Sequence, residues 1–110
     1  MENNIKLKIT KTQLVAINKI WNYVDFIDDT TAEGKAIVSM AKKLAVKFSK
    51  KYATIRFKVD KASKQYSISL EYFEGYFLEL LIRRCLEVFP YGYEKQVIQN
   101  IADFLNQKLA

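Results

Sequence analysis

The stretch Thr54-Ile55-Arg56-Phe57-Lys58-Val59-Asp60-Lys61-Ala62-Ser63-Lys64-Gln65-Tyr66-Ser67-Ile68-Ser69-Leu70 contains two runs in which apolar and polar residues alternate. Ile55, Phe57 and Val59 alternate with Thr54, Arg56 and Lys58, and Tyr66, Ile68 and Leu70 with Gln65, Ser67 and Ser69. A period of two separates the faces of a strand. Two such runs this close together predict an antiparallel hairpin closed by residues 60–64. That loop has no glycine, so its residues do not specify a turn type.

A third alternating run lies at residues 4–10, where Ile5, Leu7 and Ile9 are interleaved with Asn4, Lys6, Lys8 and Thr10. The intervening chain has helical spacing. Thr10 or Thr12 can cap a first helix over about residues 12–27, whose apolar positions (Leu14, Ile17, Trp21 and Val24 among them) cover over half its circumference. Asp28-Asp29-Thr30-Thr31 interrupts the pattern, and Thr30 followed by Glu33 fits a capping box for a second helix to about residue 52. Its stripe of Ile37, Ala41, Leu44, Phe48 and Tyr52 opposes Lys35, Lys42, Lys43, Lys47, Lys50 and Lys51.

Beyond the hairpin, residues 73–89 predict a third helix that is apolar nearly all round, with Glu79, Arg83 and Glu87 on one solvated line. Gly75 weakens its start, which places the strand-to-helix junction near that residue. Pro90 and Gly92 end it, and Val97, Ile98, Ile101, Phe104 and Leu105 mark a fourth helix. The expected fold is therefore α+β: one domain over residues 1–110, in the order β-α-α-β-β-α-α. Its three-stranded antiparallel sheet would have helices packed on one face. That order differs from the α-β-β-β-α of double-stranded RNA-binding domains.

Composition narrows the function classes. The 110 residues are 50% apolar and 27% charged, enough to fold around a core without disulfides. There is no histidine and one cysteine, Cys85, which removes the commonest general base and metal ligand and any internal disulfide. Three glycines supply neither a Gly-x-Gly-x-x-Gly nor a Walker loop, and no nucleophile motif is present, so neither catalysis, a cofactor nor a small-molecule substrate is expected. The opening residues lack the pattern of a secretory leader, and no apolar run approaches the roughly 20 residues of a membrane span, so a cytoplasmic location away from membranes is expected.

Charge is the most informative feature. Residues 35–64 hold ten Lys or Arg against one acid, Asp60, whereas residues 65–110 hold four basic and six acidic residues. This asymmetry makes Lys6, Lys8, Lys42, Lys43, Lys47, Lys50, Lys51, Arg56 and Lys58 the candidate contacts for nucleic acid, with Lys6 and Lys8 beside Arg56 and Lys58 in the sheet. The helix-two lysines are expected on the side opposite the sheet's outer face, so that the two basic surfaces do not form one groove. Scarce arginine argues against base readout, and a sheet face of serine, threonine and glutamine argues against stacking of single-stranded bases. The competing reading treats the same lysines as a solvated surface that keeps the domain soluble.

Two further clusters merit weighing. Asp25, Asp28, Asp29 and Glu33 are carboxylates close in sequence, but without the glycine and spacing of a calcium loop they are explained by helix capping, and no metal is expected. Phe89, Tyr91 and Tyr93 surround Pro90 and Gly92, a rigid aromatic turn suited to a protein partner unless the rings pack over the helix ends, while helix four or an exposed face of helix three offers a homodimer seam.

Overall fold

A computed structural model describes residues 4–110 of the chain. Two strands pair antiparallel: β1 (Asn4–Thr10) and β2 (Gln65–Glu71), in a register that sets Ile5 against Leu70, Leu7 against Ile68 and Ile9 against Tyr66. Four helices accompany them: α1 (Lys11–Asn18), α2 (Ala32–Ile55), α3 (Tyr72–Cys85) and α4 (Tyr93–Leu109), with a 3-10 segment at Lys19–Phe26. The α+β class and the helices over one sheet face agree with the sequence pattern. The third strand does not form.

That difference has a physical cause. Ile55 lies seven residues after Phe48 and eleven after Leu44, so it satisfies the helical period as well as the alternating one, and it is the buried last residue of α2. Once Ile55 is spent on the helix, Phe57 and Val59 have no core face to enter, and they are 79% and 100% exposed. β2 takes its partner from β1, at the other end of the sequence.

The helix ends follow from local hydrogen bonds. Thr10 caps α1: its hydroxyl accepts from the Gln13 N–H (3.2 Å), and its own N–H donates to Gln13 Oε1 (2.9 Å). The long first helix expected to residue 27 tightens after Asn18 into the 3-10 segment, whose Ile20, Trp21, Tyr23, Val24 and Phe26 are poor helix formers. For α2 the cap is Thr31 rather than Thr30. Asp28 Oδ1 accepts from both the Thr30 N–H (2.9 Å) and its hydroxyl (2.6 Å), which leaves Thr31 Oγ1 to accept from the Gly34 N–H (2.9 Å). β2 passes directly into α3, where the Glu71 N–H donates to Glu74 Oε1 (2.8 Å). The junction thus precedes Gly75, and the helix ends at Cys85 instead of continuing to residue 89.

The core lies between the inner sheet face and the helices. Ile5, Leu7, Ile9, Tyr66, Ile68 and Leu70 are buried from the sheet, and Leu14, Ile17, Ile37, Leu44, Phe48, Leu78, Leu81, Ile82, Ile98 and Leu105 from the helices. α3 touches both strands. Gly75 lies at this contact, where a Cβ would come within 2.7 Å of Ile5 Cδ1, the end of a flexible side chain. No charged or polar side chain is buried among the described residues, and no helix is long and apolar enough to cross a membrane. The body measures 44 × 39 × 23 Å, its short axis fitting one helical layer under one sheet.

Two measurements check this packing. Alanine at Gly34 would place its Cβ 1.8 Å from the Asp28 carbonyl oxygen, a backbone atom that cannot swing aside. Gly34→Ala is therefore expected to destabilise the protein by about 1–3 kcal/mol in urea unfolding, against the gain of about 1 kcal/mol that alanine brings to an unobstructed helix. Burial pushes the Cys85 thiol up to about 11, so at pH 8 roughly a thousandth of it is thiolate. Ellman's reagent is expected to label it slowly in the native protein and rapidly in urea.

Candidate nucleic-acid interface

Alternation in β1 and β2 turns Lys6, Lys8, Ser67 and Ser69 to the outer sheet face, where the register pairs Lys6 with Ser69 and Lys8 with Ser67. Directly opposite residues in an antiparallel pair stand about 5 Å apart at Cβ. On the far side of β2 the C-terminal half of α2 runs past the strand's open edge. There Lys47, Lys50, Lys51 and Thr54 share a depression of about 530 Å³ with Asn4, Ser67, Ser69 and Glu71. Lys43, four residues before Lys47, extends the same helical stripe.

Lys47, Lys50 and Lys51 therefore border a depression with Ser69 and Ser67, the cross-strand partners of Lys6 and Lys8, whereas the sequence pattern set the helix lysines on the side opposite the sheet's outer face. The reason is that α2 lies beside the sheet at this end and not wholly beneath it. Its buried stripe enters the core while the neighbouring stripe, only a quarter-turn round, opens toward the outer sheet face. Ser67, Ser69 and Thr54 belong to this depression too, while Lys108 lies across β1 in a second groove with Lys6 and Lys8. Sequence reading treated the serines and Thr54 only as strand polarity and passed over Lys108. The cross-strand register was the missing signal.

Not every candidate joins it. Lys42 lies on the other flank of α2 with Lys35, near Asp29. Arg56 and Lys58 follow the helix instead of forming a strand, so they do not stand beside Lys6 and Lys8. Their carbonyls accept from Lys11 Nζ at 3.4 and 2.7 Å, the Arg56 guanidinium stacks 4.5 Å from the Phe57 ring, and the Lys58 ammonium is 6.0 Å from the Tyr66 ring. The Tyr66 hydroxyl donates to Asp60, and this bond raises the phenol above its ordinary range.

Ion pairing decides how much of the charge is free. Lys47 is engaged by Glu74 at 2.9 Å, a contact that ties α2 to α3. Among the described residues, Lys6, Lys8, Lys43, Lys50 and Lys51 make no ion pair. The acids Glu71 and Glu74 sit at one end of the surface. Elsewhere Arg84 holds Glu33 (3.1 Å), Arg83 bridges Glu79 and Asp103 (3.2 and 3.0 Å), and Lys19 holds Glu94 (2.7 Å).

The acidic cluster is occupied by local structure. The Thr30 hydroxyl and N–H hold the Asp28 carboxyl below its usual range, Glu33 is turned to Arg84, and no three metal-ligating side chains converge among the described residues. The aromatic turn divides. Phe89 is buried with its ring 5.0 Å from Tyr23, so it packs and does not project, while Tyr91 and Tyr93 are 93% and 64% exposed. Gly92 has φ of 142°, a backbone conformation that suits glycine alone, and the exposed Tyr91 ring before it lies 4.1 Å from the Lys95 ammonium.

Comparison of the chain with protein families, curated proteins and solved structures finds no match. Any functional reading therefore rests on the surface itself.

The turn gives a direct contrast. Phe89→Ala is expected to lower stability by about 3–5 kcal/mol, as for a buried ring, whereas Tyr91→Ala is expected to stay within about 0.5 kcal/mol of the parent in the same denaturant titration.

Proposed function

We propose that the chain is a non-enzymatic intracellular binding protein that grips the nucleic-acid backbone, without reading sequence, through Lys6, Lys8, Lys43, Lys50 and Lys51. The observation that supports this reading is that Lys50 and Lys51 border one depression with Ser69 and Ser67, which pair across the sheet with Lys6 and Lys8. Unpaired lysines on a shared surface neutralise phosphates and release counterions, a sequence-independent source of affinity. No arginine lines the depression, so bidentate recognition of guanine is lacking, and serine hydroxyls between the lysines suit further phosphate contacts.

A fluorescence-anisotropy titration of a labelled DNA duplex over a salt series tests it. Five phosphate contacts correspond to a log–log slope of about −4.5. Lys50→Ala with Lys51→Ala is expected to flatten that slope by about 2 and to weaken binding by tenfold or more at low salt. The pair Lys35→Ala and Lys42→Ala, on the other flank of α2, is expected to leave the slope unchanged. Absence of binding to duplex or single strand at low ionic strength would refute the reading.

A second reading, a protein-interaction or homodimeric module, draws on α3, where Phe73 and Tyr76 are 48% and 49% exposed beside Tyr72. Size that grows with concentration in sedimentation, together with indifference to nucleic acid, would favour it.

A further inference from the structure

A sheet of two strands has two open edges. The edge of β1 faces α4 across a groove of about 490 Å³, in which Leu7, Ile101 and Phe104 form an apolar floor and Lys6, Lys8 and Lys108 a cationic rim. Among the described residues, no acidic side chain lines this groove. α4 closes its far end, because the Tyr72 hydroxyl donates to the Leu109 carbonyl (2.6 Å) next to the point where β2 becomes α3. Every second residue of an edge strand turns its N–H and C=O away from its neighbour. Among the described residues, no hydrogen bond beyond the β1–β2 ladder engages the backbone of residues 4–9.

We infer that this groove binds an extended acidic peptide, which joins β1 as a third strand with glutamate or aspartate alternating with β-branched apolar residues. The alternation follows from the pleat. A strand added beside β1 places its residues level with Lys6 and Lys8 on the outer face, where carboxylates meet two ammonium groups. The residues between them fall level with Leu7 and point inward, onto Ile101 and Phe104. Main-chain bonds to the unused edge supply affinity that does not depend on side chains, while the charge rim and apolar floor supply selection.

Charge also decides against a second copy of this chain as the occupant. Pairing β1 with β1 would bring Lys6 and Lys8 against their own kind, the device by which edge strands resist self-association. The other alternating segment, Arg56-Phe57-Lys58-Val59, is basic as well and would be repelled by the same rim.

The probe is a blocked, fluorescein-labelled octapeptide alternating glutamate with valine, titrated by anisotropy against the full chain. Micromolar binding is expected. A peptide of the same composition with its glutamates in one block is expected to bind at least about tenfold more weakly, and Lys6→Glu with Lys8→Glu, both exposed, to exchange the preference for a lysine–valine peptide. N-methylation of every second residue in one phase is expected to abolish binding, while the opposite phase is tolerated. Equal effects of the two phases, or equal binding of the blocked sequence, would overturn the inference. Lys50→Ala with Lys51→Ala is expected to leave peptide binding unchanged, so failure of the nucleic-acid reading would not register here. No peptide binding, whether or not Phe104→Ala weakens the duplex complex, would also overturn the inference, and a weakened duplex complex would assign the groove to the nucleic-acid surface instead.

Discussion

The pairing of β1 with β2 depends on the burial of one sheet face beneath α3, and the rest of the molecule depends on that contact. Two strands alone are at best marginal in water. Here Ile5, Leu7, Ile9, Tyr66, Ile68 and Leu70 leave solvent together, each large aliphatic group contributing on the order of 2 kcal/mol. Gly75 packs against the Ile5 side chain at this contact. A slip of β1 by one residue would turn over its faces, driving Lys6 and Lys8 into the core. The cost of burying those ammonium groups holds the register, and the register in turn dictates which polar residues meet on the outside.

Shape follows from the same constraint. With strands at either end of the helical connections, α2 and α4 end up beside the sheet's two edges, each across a groove. The groove along β2 is lined by lysine and hydroxyl groups, that along β1 by apolar side chains under a lysine rim. Charge placement between helices is of another kind. Lys47, Arg83, Arg84 and Lys19 are held by acids on neighbouring elements, and such partly exposed pairs contribute about 0–1 kcal/mol each, so they orient helices more than they stabilise them.

Much of this was legible from residues alone. The alternation at β1 and β2, the amphipathic stripe of α2 and the helical spacing of α4 all locate elements, because each is a periodic signal sustained over several residues. Ile55 exposes the limit of such signals: it belongs to both a helical and an alternating series, and only the availability of a core site chooses between them. The candidate surface was half legible. Charge asymmetry singled out the lysines of α2, yet nothing local could separate Lys42, on one flank, from Lys50 and Lys51, on the other.

The chain's own order of residues settled what is local: secondary structure wherever one period dominates, an excess of cations in the middle third, and the lack of histidine. Tertiary structure alone decided what depends on distance: that β2 pairs with residues 55 to 67 positions away instead of with its immediate predecessor, that lysines of α2 share a depression with the serines of β2, and that Phe89 turns inward while Tyr91 turns out. The physical reason is that periodicity reports which face of an element seeks burial, whereas the neighbour that buries it is selected by competition among all apolar faces for one core.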